Sequence, residues 1–378
     1  TTYDYDELGR QTLETQPMAR VWTRTWTLHD ELATETNPLR FDTVHEYDML
    51  GRRISTTDEA GVQTYAYDFV GNQTSHKDRL GRVTRFHYDE LNRRWRQEDP
   101  EPLTTQQLWR YDALDRVVAI TDRNAIETVL TLDGEGRERQ RSRAGRDELQ
   151  SYDAAGRRAS HTDGQGRITT FVYDTAGRLE EERRPLGATL HFDYGPADEL
   201  LSSTDADGIT TTFTYDLRLR KRSETNALDE VTLFEYDDRG LRTAIIKPES
   251  EDHRWKFDYD TAGRLKLVTD PLGNETAYGY DLADNLTSVT NARGQLTIHE
   301  YDELNRLVRT EHPGGVEERF TPDAEGNRVA WVRENGMRLE MDYDPLNRLV
   351  ETRRLPAAAD GIARVKRFHD GNGNLTQV

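Results

Sequence analysis

A repeat of about 21 residues runs along the whole 378-residue chain. An aromatic residue, or a substitute for one, opens each of eighteen copies, and we call this position the head of the repeat. A constant period of this length is typical of repeat proteins, in which one supersecondary unit is used many times. The heads are Tyr5, Trp26, Tyr47, Tyr67, Tyr88, Tyr111, Leu132, Tyr152, Tyr173, Tyr194, Tyr215, Tyr236, Tyr259, Tyr280, Tyr301, Pro322, Tyr343 and His369.

The residues after each head predict a tight turn, which we call the head turn. Asp follows the head in all but two repeats, where Thr27 and Gly195 stand, and Gly, Asn or Asp comes four residues after the head in all but one. These types tolerate the positive φ that such a turn requires, so we predict a β-hairpin in every repeat. Leu219 is the exception, which predicts a strained or remodelled turn. Clear examples are Asp6, Gly9, Asp48, Gly51, Gly71, Asn92, Gly156, Asp174, Gly177, Gly240, Gly263, Asn305 and Asn347.

The segment before each head alternates as a half-buried strand does. Phe171 and Tyr173 share one face, while Thr170 and Val172 share the other, which is polar in most repeats. A second turn, here called the link turn, joins one repeat to the next, as at 78–81, 163–166, 205–208, 270–273 and 291–294. Two turns per repeat leave two strands of six or seven residues, or roughly 36 strands in all. Three insertions interrupt the period and predict surface loops, at 99–107, 247–253 and 355–361.

These features predict an all-β chain whose hairpins form one long antiparallel sheet. Because open sheets beyond about ten strands curl, we expect it to spiral into a hollow cocoon or barrel-like shell. A β-propeller with two repeats per blade is the alternative, and a parallel β-helix comes third. Blades stack through apolar residues on both faces, whereas one face here is strongly polar. We therefore expect the polar face to line a water-filled cavity and not to pack into a dry core.

Composition excludes several classes of function. A formal net charge of -19 disfavours nucleic acid as a partner. No apolar run approaches the roughly 18 residues of a membrane-spanning helix, so we predict no span. The chain has no Cys, which removes disulfides and thiolate metal sites.

No residue pattern supports catalysis, so we predict no enzyme activity, no cofactor site and no metal site. His45 and His299 stand two residues before a head, in a column of the repeat that is mostly aromatic, and are interpreted as packing residues. The run from Asp370 to Asn374 resembles half of a calcium loop, but Leu375 occupies the Gly position, and we interpret the run as a turn. Adjacent strand residues at 180–182, all Glu, point to alternate faces and do not form a catalytic pair. The tyrosine column favours wall packing over the stacking of sugar rings.

The repeat resembles the YD repeat of the bacterial Rhs family, with its motif Tyr-Asp-x-x-Gly-Arg-Leu followed by Thr and an Asp-Pro-x-Gly type of turn. This superfamily also includes the C subunits of insecticidal toxin complexes and the animal teneurins. The resemblance covers the whole chain. It is clearest at 5–15, 47–58, 173–182, 259–273 and 301–315.

The resemblance implies a spiralling shell that encloses a C-terminal toxin domain until delivery to a target cell. It further implies synthesis in the bacterial cytoplasm, secretion that in this family is often of type VI, and delivery components or a chaperone as partners. The toxin domain would lie outside this chain. An extracellular module that binds carbohydrate or another cell-surface glycan is the alternative function.

The family's shell commonly ends in a self-cleavage motif, Pro-x4-Asp-Pro-x-Gly-Leu. The nearest match is 270–273, but Asn274 replaces the Leu and Leu265 stands at the Pro position. We therefore assign no protease residues. Since the array begins and stops in mid-pattern, we expect 1–378 to be one shell segment of a longer polypeptide, without a separate catalytic domain.

Overall fold

The computed structural model describes residues 1–249, 252–355 and 363–378. Apart from two short 3-10 turns, Pro17–Ala19 and Pro185–Gly187, the regular structure in these ranges is β-strand. None of their helical segments has the length and apolar character needed to cross a membrane. The predicted loops at 247–253 and 355–361 fall partly or almost wholly outside the described residues.

The strands follow one another at the spacing that the repeat predicts. The first group comprises β1 (Thr2–Tyr5), β2 (Gln11–Gln16), β3 (Arg20–Trp26), β4 (Leu32–Thr36), β5 (Asp42–Tyr47), β6 (Arg53–Asp58), β7 (Gly61–Tyr67), β8 (Gln73–Lys77), β9 (Val83–Tyr88), β10 (Arg94–Glu98), β11 (Gln106–Tyr111) and β12 (Val117–Thr121). The second comprises β13 (Glu127–Leu132), β14 (Glu138–Arg143), β15 (Arg146–Tyr152), β16 (Arg158–Thr162), β17 (Ile168–Tyr173), β18 (Leu179–Arg183), β19 (Thr189–Tyr194), β20 (Leu200–Thr204), β21 (Thr210–Tyr215), β22 (Lys221–Thr225), β23 (Val231–Tyr236) and β24 (Arg242–Ile246). The third comprises β25 (Arg254–Tyr259), β26 (Leu265–Thr269), β27 (Glu275–Tyr280), β28 (Leu286–Thr290), β29 (Leu296–Tyr301), β30 (Leu307–His312), β31 (Val316–Pro322), β32 (Arg328–Val332), β33 (Arg338–Tyr343), β34 (Leu349–Leu355), β35 (Ala363–Lys366), β36 (Phe368–His369) and β37 (Leu375–Gln377).

Hydrogen bonds join 35 of these strands into one antiparallel sheet, and β36 pairs with β37 separately. This confirms the predicted all-β class. A continuous sheet of this size does not match the separate four-stranded blades of the propeller alternative.

A β-bulge recurs beside the heads of the hairpins. Val172 pairs with Glu181, whereas Tyr173 pairs with Leu179, so one residue of the second strand is left over. The same shift recurs at Tyr215 and at Tyr301. A bulge increases the local twist and ends the pairing where the turn begins.

The chain divides into two compact units. The first comprises 1–109, 121–125 and 276–378, and the second comprises 110–120 and 126–275. In the second unit, each strand from β13 to β19 pairs with the strand that follows it. In the first unit, residues that are far apart in the sequence also come together, as described below.

The buried apolar core is very small for a chain of this length. Among the described residues, the buried apolar side chains are Ala119, Ala244, Ile246, Phe320 and Ala330. Most strand residues are half-buried, as expected for a sheet that is one layer thick. On the polar face, side chains pair across the strands, such as Ser151 with Ser160 at 2.6 Å and Ser202 donating to Asp193 at 2.6 Å.

Candidate functional site

The head turns form a regular row of hydrogen-bonded loops, and the repeat headed by Tyr173 shows their geometry. The amide of Gly177 donates to the carbonyl of Asp174 at 3.0 Å, which closes the turn. The Asp174 carboxylate accepts bonds from the amides of Ala176 and Arg178, both at 2.9 Å, and from Arg178 Nε at 2.8 Å. The backbone bond from Arg178 and the guanidinium together lower the pKa of Asp174. The turn is therefore built around an ionised aspartate.

The fourth residue after the head has positive φ in all eighteen repeats. Glycines such as Gly177, with φ 90°, adopt this conformation without strain, and Asn305, with φ 62°, tolerates it. Leu219 adopts the same conformation, with φ 59°. Its turn is therefore strained rather than remodelled.

The arginine that follows the turn also binds the next repeat. Arg178 Nη1 donates to the carbonyl of Gly195 at 2.6 Å, and its guanidinium lies 4.9 Å from the ring centroid of Tyr194. Arg220 makes the same two contacts with Asp237 and Tyr236. The side chain thus ties the turn of one repeat to the head of the following one. Sequence reasoning missed this role, although the signal was present as a column of Arg five residues after the head.

The head tyrosines tie each repeat to the preceding one. The Tyr173 hydroxyl donates to the carbonyl of Arg158 at 2.9 Å, and the Tyr301 hydroxyl donates to that of Leu286 at 3.0 Å. This bond also occurs at Tyr47, Tyr67, Tyr88, Tyr152, Tyr215, Tyr236, Tyr259 and Tyr343. At the head Trp26, the indole nitrogen donates instead. The row of tyrosines is therefore a hydrogen-bonded part of the sheet.

Cations lie against the other aromatic column, two residues before the heads. The guanidinium of Arg328 is 4.2 Å from the Phe320 centroid, and that of Arg158 is 4.6 Å from the Phe171 centroid. A cation in this position is attracted electrostatically to the face of the aromatic ring. Because these cations occupy ring faces, the column is poorly suited to stacking against sugars.

In the first unit, link turns from early repeats contact head turns from late repeats, and we call this contact the seam. The amide of Arg79 donates to Glu325 Oε1 at 2.8 Å, and Arg82 donates to Asn347 Oδ1 at 2.9 Å. Arg20 forms an ion pair with Asp284. The seam joins residues about 250 positions apart.

The seam ends in a reciprocal contact between two Asp- and Asn-rich turns, which we call the latch. Asn124 donates to Asp370 at 2.9 Å, and Asn372 donates back to Asp122 at 2.8 Å. A Cβ at Gly371 would lie 2.4 Å from the carbonyl oxygen of Arg123, so the turns approach this closely only because the residue is Gly. The run interpreted as half of a calcium loop therefore lies in a turn–turn contact. A hydrogen bond from Asn374 lowers the pKa of Asp370 to about 2.

His45 and His299, two residues before their heads, pack within the sheet. Nδ1 of His45 lies 3.1 Å from Thr56 Oγ1, and Nδ1 of His299 lies 3.1 Å from Thr310 Oγ1. Burial lowers the pKa of both imidazoles. These contacts are those of packing residues.

The acidic run at 180–182 is divided between the two faces of the sheet. Glu181 pairs with Val172 and Glu182 with Phe171. Each carboxylate accepts a bond from an arginine two residues further on, at 2.6 Å. The two carboxylates therefore do not converge on one site.

Among the described residues, one cluster has the donor set of a metal site. His312 Nε2 lies 3.5 Å from a Glu318 carboxylate oxygen and 3.6 Å from one of Glu334. Glu334 belongs to an exposed turn, where water competes for its carboxylate. We assign no metal to the cluster.

Fold and contacts together define a class: a tandem hairpin-repeat protein in which each repeat is tied to its neighbours through its head and its arginine. The model of the RHS repeat matches residues 152–189, 259–296 and 280–317. These segments of the chain therefore carry the RHS repeat, the repeat of the family that the whole sequence resembles.

Solved structures share this fold. TcdB2-TccC3 without its hypervariable C-terminal region matches with a TM-score of 0.82 at 14% identity, over 98% of this chain and 24% of that one. TcdB2-TccC3 matches with the same score and identity, over 99% and 24%. The Tc holotoxin pore of Photorhabdus luminescens matches with a TM-score of 0.63 at 14% identity, over 98% and 25%. The chain thus spans about a quarter of the length of these proteins.

Proposed function

We propose that residues 1–378 form a wall segment of a shell that encloses a toxin domain of the same polypeptide and shields it until delivery to a target cell. The observation that carries the proposal is the fold shared with TcdB2-TccC3 over 98% of the chain. The names of those structures refer to a hypervariable C-terminal region and to a holotoxin. In this proposal, the chain performs no chemistry of its own.

The contacts within the sheet suit a wall. A thin sheet that separates two aqueous spaces cannot rely on a thick apolar core, so each repeat needs direct ties to its neighbours. The tyrosine hydroxyl of one repeat binds the preceding repeat, and the arginine binds the following one. Polar pairs such as Ser151 with Ser160 leave the second face compatible with water.

The enclosed toxin domain is the principal partner in this proposal. We propose that the polypeptide is made in the bacterial cytoplasm and is secreted or delivered together with its cargo. Delivery components, such as those of type VI secretion, or a chaperone would then be further partners. Enclosure protects the producing cell because the toxin cannot reach its substrate before release.

The test uses the native full-length polypeptide that contains this chain. Imaging by electron microscopy should show a particle of low central density that holds weaker, separate density for the cargo. Limited proteolysis followed by mass measurement should leave the C-terminal cargo intact while the particle is folded. A solid particle, or a cargo digested as fast as the isolated cargo domain, would contradict the proposal.

A seam variant provides a sharper version of this test. Arg79→Ala removes the ion pair with Asp58 that holds the link turn beside Glu325. It should increase protease access to the cargo. The matched control is Arg319→Ala, because Arg319 pairs with Glu317 on the surface and lies outside the seam. Equal cargo protection in both variants would argue against a closed wall at this position.

Recognition of surface glycans has weaker support in the structure. The ring faces that a sugar would need are occupied by cations at several repeats, such as Phe171 by Arg158. A glycan array probed with this chain should therefore show no binding. Binding that disappears on replacement of the exposed Tyr3 or Tyr5 would favour the recognition function instead.

A further inference from the structure

The seam is held by side chains and not by a ladder of strand pairing. The Glu325 carboxylate accepts a bond from the amide of Arg79 at 2.8 Å. Arg82 donates to the side-chain oxygen of Asn347 at 2.9 Å. Neighbouring strands of the sheet, in contrast, pair along their backbones, at three residues in β8 with β9. Opening the seam therefore leaves the strand pairing within each hairpin intact.

Cavities lie along the seam, where apolar packing could otherwise join the two rows of turns. Leu39 and Phe41 of one link turn line a cavity of about 500 Å³ together with Asp302. Leu80 of a later link turn lines another, of about 420 Å³, together with Met341. An apolar side chain beside a cavity makes fewer van der Waals contacts than one in a packed core. These side chains therefore contribute little to the cohesion of the seam.

Each side of the seam is a row of turns that are bonded to one another. In the late row, Arg306 of one head turn donates to the carbonyl of Asp323 in the next at 2.6 Å. In the early row, Nε of Arg79 donates to Asp58 of the preceding link turn at 3.0 Å. These bonds add to the strand pairing that already joins the repeats of each row. Cohesion along each row is therefore greater than cohesion across the seam.

Three backbone amides donate to acceptors on the opposite side of the seam. They are the amide of Arg79, which donates to Glu325, that of Arg123, which donates to Asn372, and that of Gly371, which donates to Asn124. An amide whose acceptor is removed by a local opening exchanges its hydrogen with water during that opening. Exchange at these three amides, here called the seam amides, therefore reports the separation of the two rows.

We propose that the seam is a line of opening, along which the early link turns and the late head turns separate as two rows while the hairpins on both sides stay folded. Water replaces the side-chain bonds of the open seam, so opening costs less free energy than separating two paired strands. In the proposed shell, the open seam gives an extended polypeptide a way through the wall. This last step rests on the proposed function, whereas the opening itself does not.

Hydrogen exchange of the purified chain, resolved to single amides, tests the opening. After correction for intrinsic exchange rates, the three seam amides should exchange at a common rate. This rate should be at least about tenfold faster than that of the paired strand amides in β8 and β9, because those amides wait for strand separation. Seam amides that exchange as slowly as the strand amides would overturn the proposal.

A substitution far from the latch tests whether the rows separate as units. Asp284→Asn weakens the ion pair with Arg20, which lies four repeats, or about 40 Å, along the row from the latch. It should speed exchange at Gly371 about threefold. Asp198→Asn is the matched control, because Asp198 occupies the same head-turn position and pairs with Arg178 outside the seam. Faster exchange confined to the surroundings of Asp284 would contradict separation as two rows.

A covalent link across the seam should prevent the opening. Because the chain has no Cys, Arg82→Cys with Asn347→Cys provides two thiols where these side chains meet. A short bis-maleimide should join the thiols and slow exchange at Arg123 and Gly371 by about tenfold or more. The control is the same variant with both thiols capped by N-ethylmaleimide. Equal exchange in the linked and capped forms would overturn the proposal.

The native full-length polypeptide tests the passage of a cargo through the seam, in a background without other reactive thiols. In urea below the unfolding transition, protease should reach the cargo of the capped variant at least about tenfold faster than that of the cross-linked one. Equal access in both forms, in a chain whose seam amides exchange fast, would overturn the passage through the seam. A hollow particle seen by electron microscopy would still support the shell in that case, so the two proposals fail separately.

Discussion

The fourth position after the head is where the backbone constrains residue choice most. All eighteen repeats have positive φ there, and seventeen of them use Gly, Asn or Asp. Leu219 has a Cβ and a branched side chain, so positive φ at this residue is sterically unfavourable. The residue requirement was readable from the sequence because it concerns one residue and its own backbone.

Relief of this strain gives a prediction for a single residue. Leu219→Gly should raise the free energy of unfolding by about 1 kcal/mol, since Gly adopts positive φ without the steric cost. Thermal or urea unfolding of the chain measures the change. Leu217→Gly, two residues earlier in the same turn, is the control and should leave stability unchanged or lower it. A lower melting temperature for Leu219→Gly would show that the turn is not strained.

The arginine column shows why a residue's role can escape the sequence. Its hydrogen bond to the aspartate four residues earlier is local, and the spacing of the two residues suggests this bond. Its second contact is with a backbone carbonyl of the next repeat, as Arg178 makes with Gly195. Every residue has a carbonyl, so no residue type marks the acceptor. The sequence therefore predicted the turn but not the tie between repeats.

At the scale of the hairpin, two repeats lack the usual Asp and Arg of the head turn and have Glu at the Arg position. In one of them, Gly195 stands where most turns have Asp, and Glu199 stands where most have Arg. Glu199 accepts a bond from the amide of Ala197 at 2.8 Å, which is the role of the aspartate elsewhere. A Cβ at Gly195 would lie 2.2 Å from the Glu199 carboxylate. Glycine at this position thus makes room for the replacement acid.

This exchange predicts coupling between two substitutions. Gly195→Asp alone should destabilise the chain by about 1–3 kcal/mol, because it adds a crowded second carboxylate. Adding Glu199→Arg restores the usual Asp and Arg pair and should recover most of the loss. A double-mutant cycle in urea gives the coupling free energy. Additive effects would mean that the two positions do not share one role.

The latch gives a second prediction at this scale. Gly371→Ala places a methyl group 2.4 Å from the Arg123 carbonyl oxygen, so the hairpin of β36 and β37 should separate from its contact turn. We expect faster hydrogen exchange and proteolysis within 368–377. Gly134→Ala is the matched control, since it occupies the same head-turn position with open space around it. Unchanged exchange in the Gly371 variant would show that the latch does not hold the hairpin.

At the scale of the whole chain, the period of the repeat predicted the fold. The contacts between distant repeats could not be predicted from the sequence. Head turns depend on residues that are close together in the sequence, so a single sequence reveals them. The seam joins the amide of Arg79 to Glu325, which is 246 positions away. Almost every residue has a backbone amide, so no residue type marks this donor and the contact has no periodic signature. Link turns and head turns were predicted, but the arrangement that brings them together was not.

Because many aspartates are ionised in the folded chain, its free energy of unfolding should depend on pH in the acid range. Hydrogen bonds from Arg10 and Arg52 lower the pKa of Asp6 and Asp48, and Asp370 has a pKa of about 2. A carboxyl group whose pKa is lower in the folded state contributes stability that is complete above its unfolded pKa of about 4, and loses it as pH falls through the folded value. The contribution of these turns should therefore be constant above about pH 5 and should decline between about pH 4 and pH 2.

Unfolding in urea at a series of pH values measures this decline, together with the protons taken up on unfolding. Asp48→Asn removes one titrating group and should reduce the proton uptake in the acid range while lowering stability at neutral pH. Asp207→Asn is the control, because Asp207 lies exposed in a link turn and shows no ion pair among the described contacts. A free energy of unfolding that is equal at pH 5 and pH 2.5 would mean that the aspartate turns do not stabilise the folded chain.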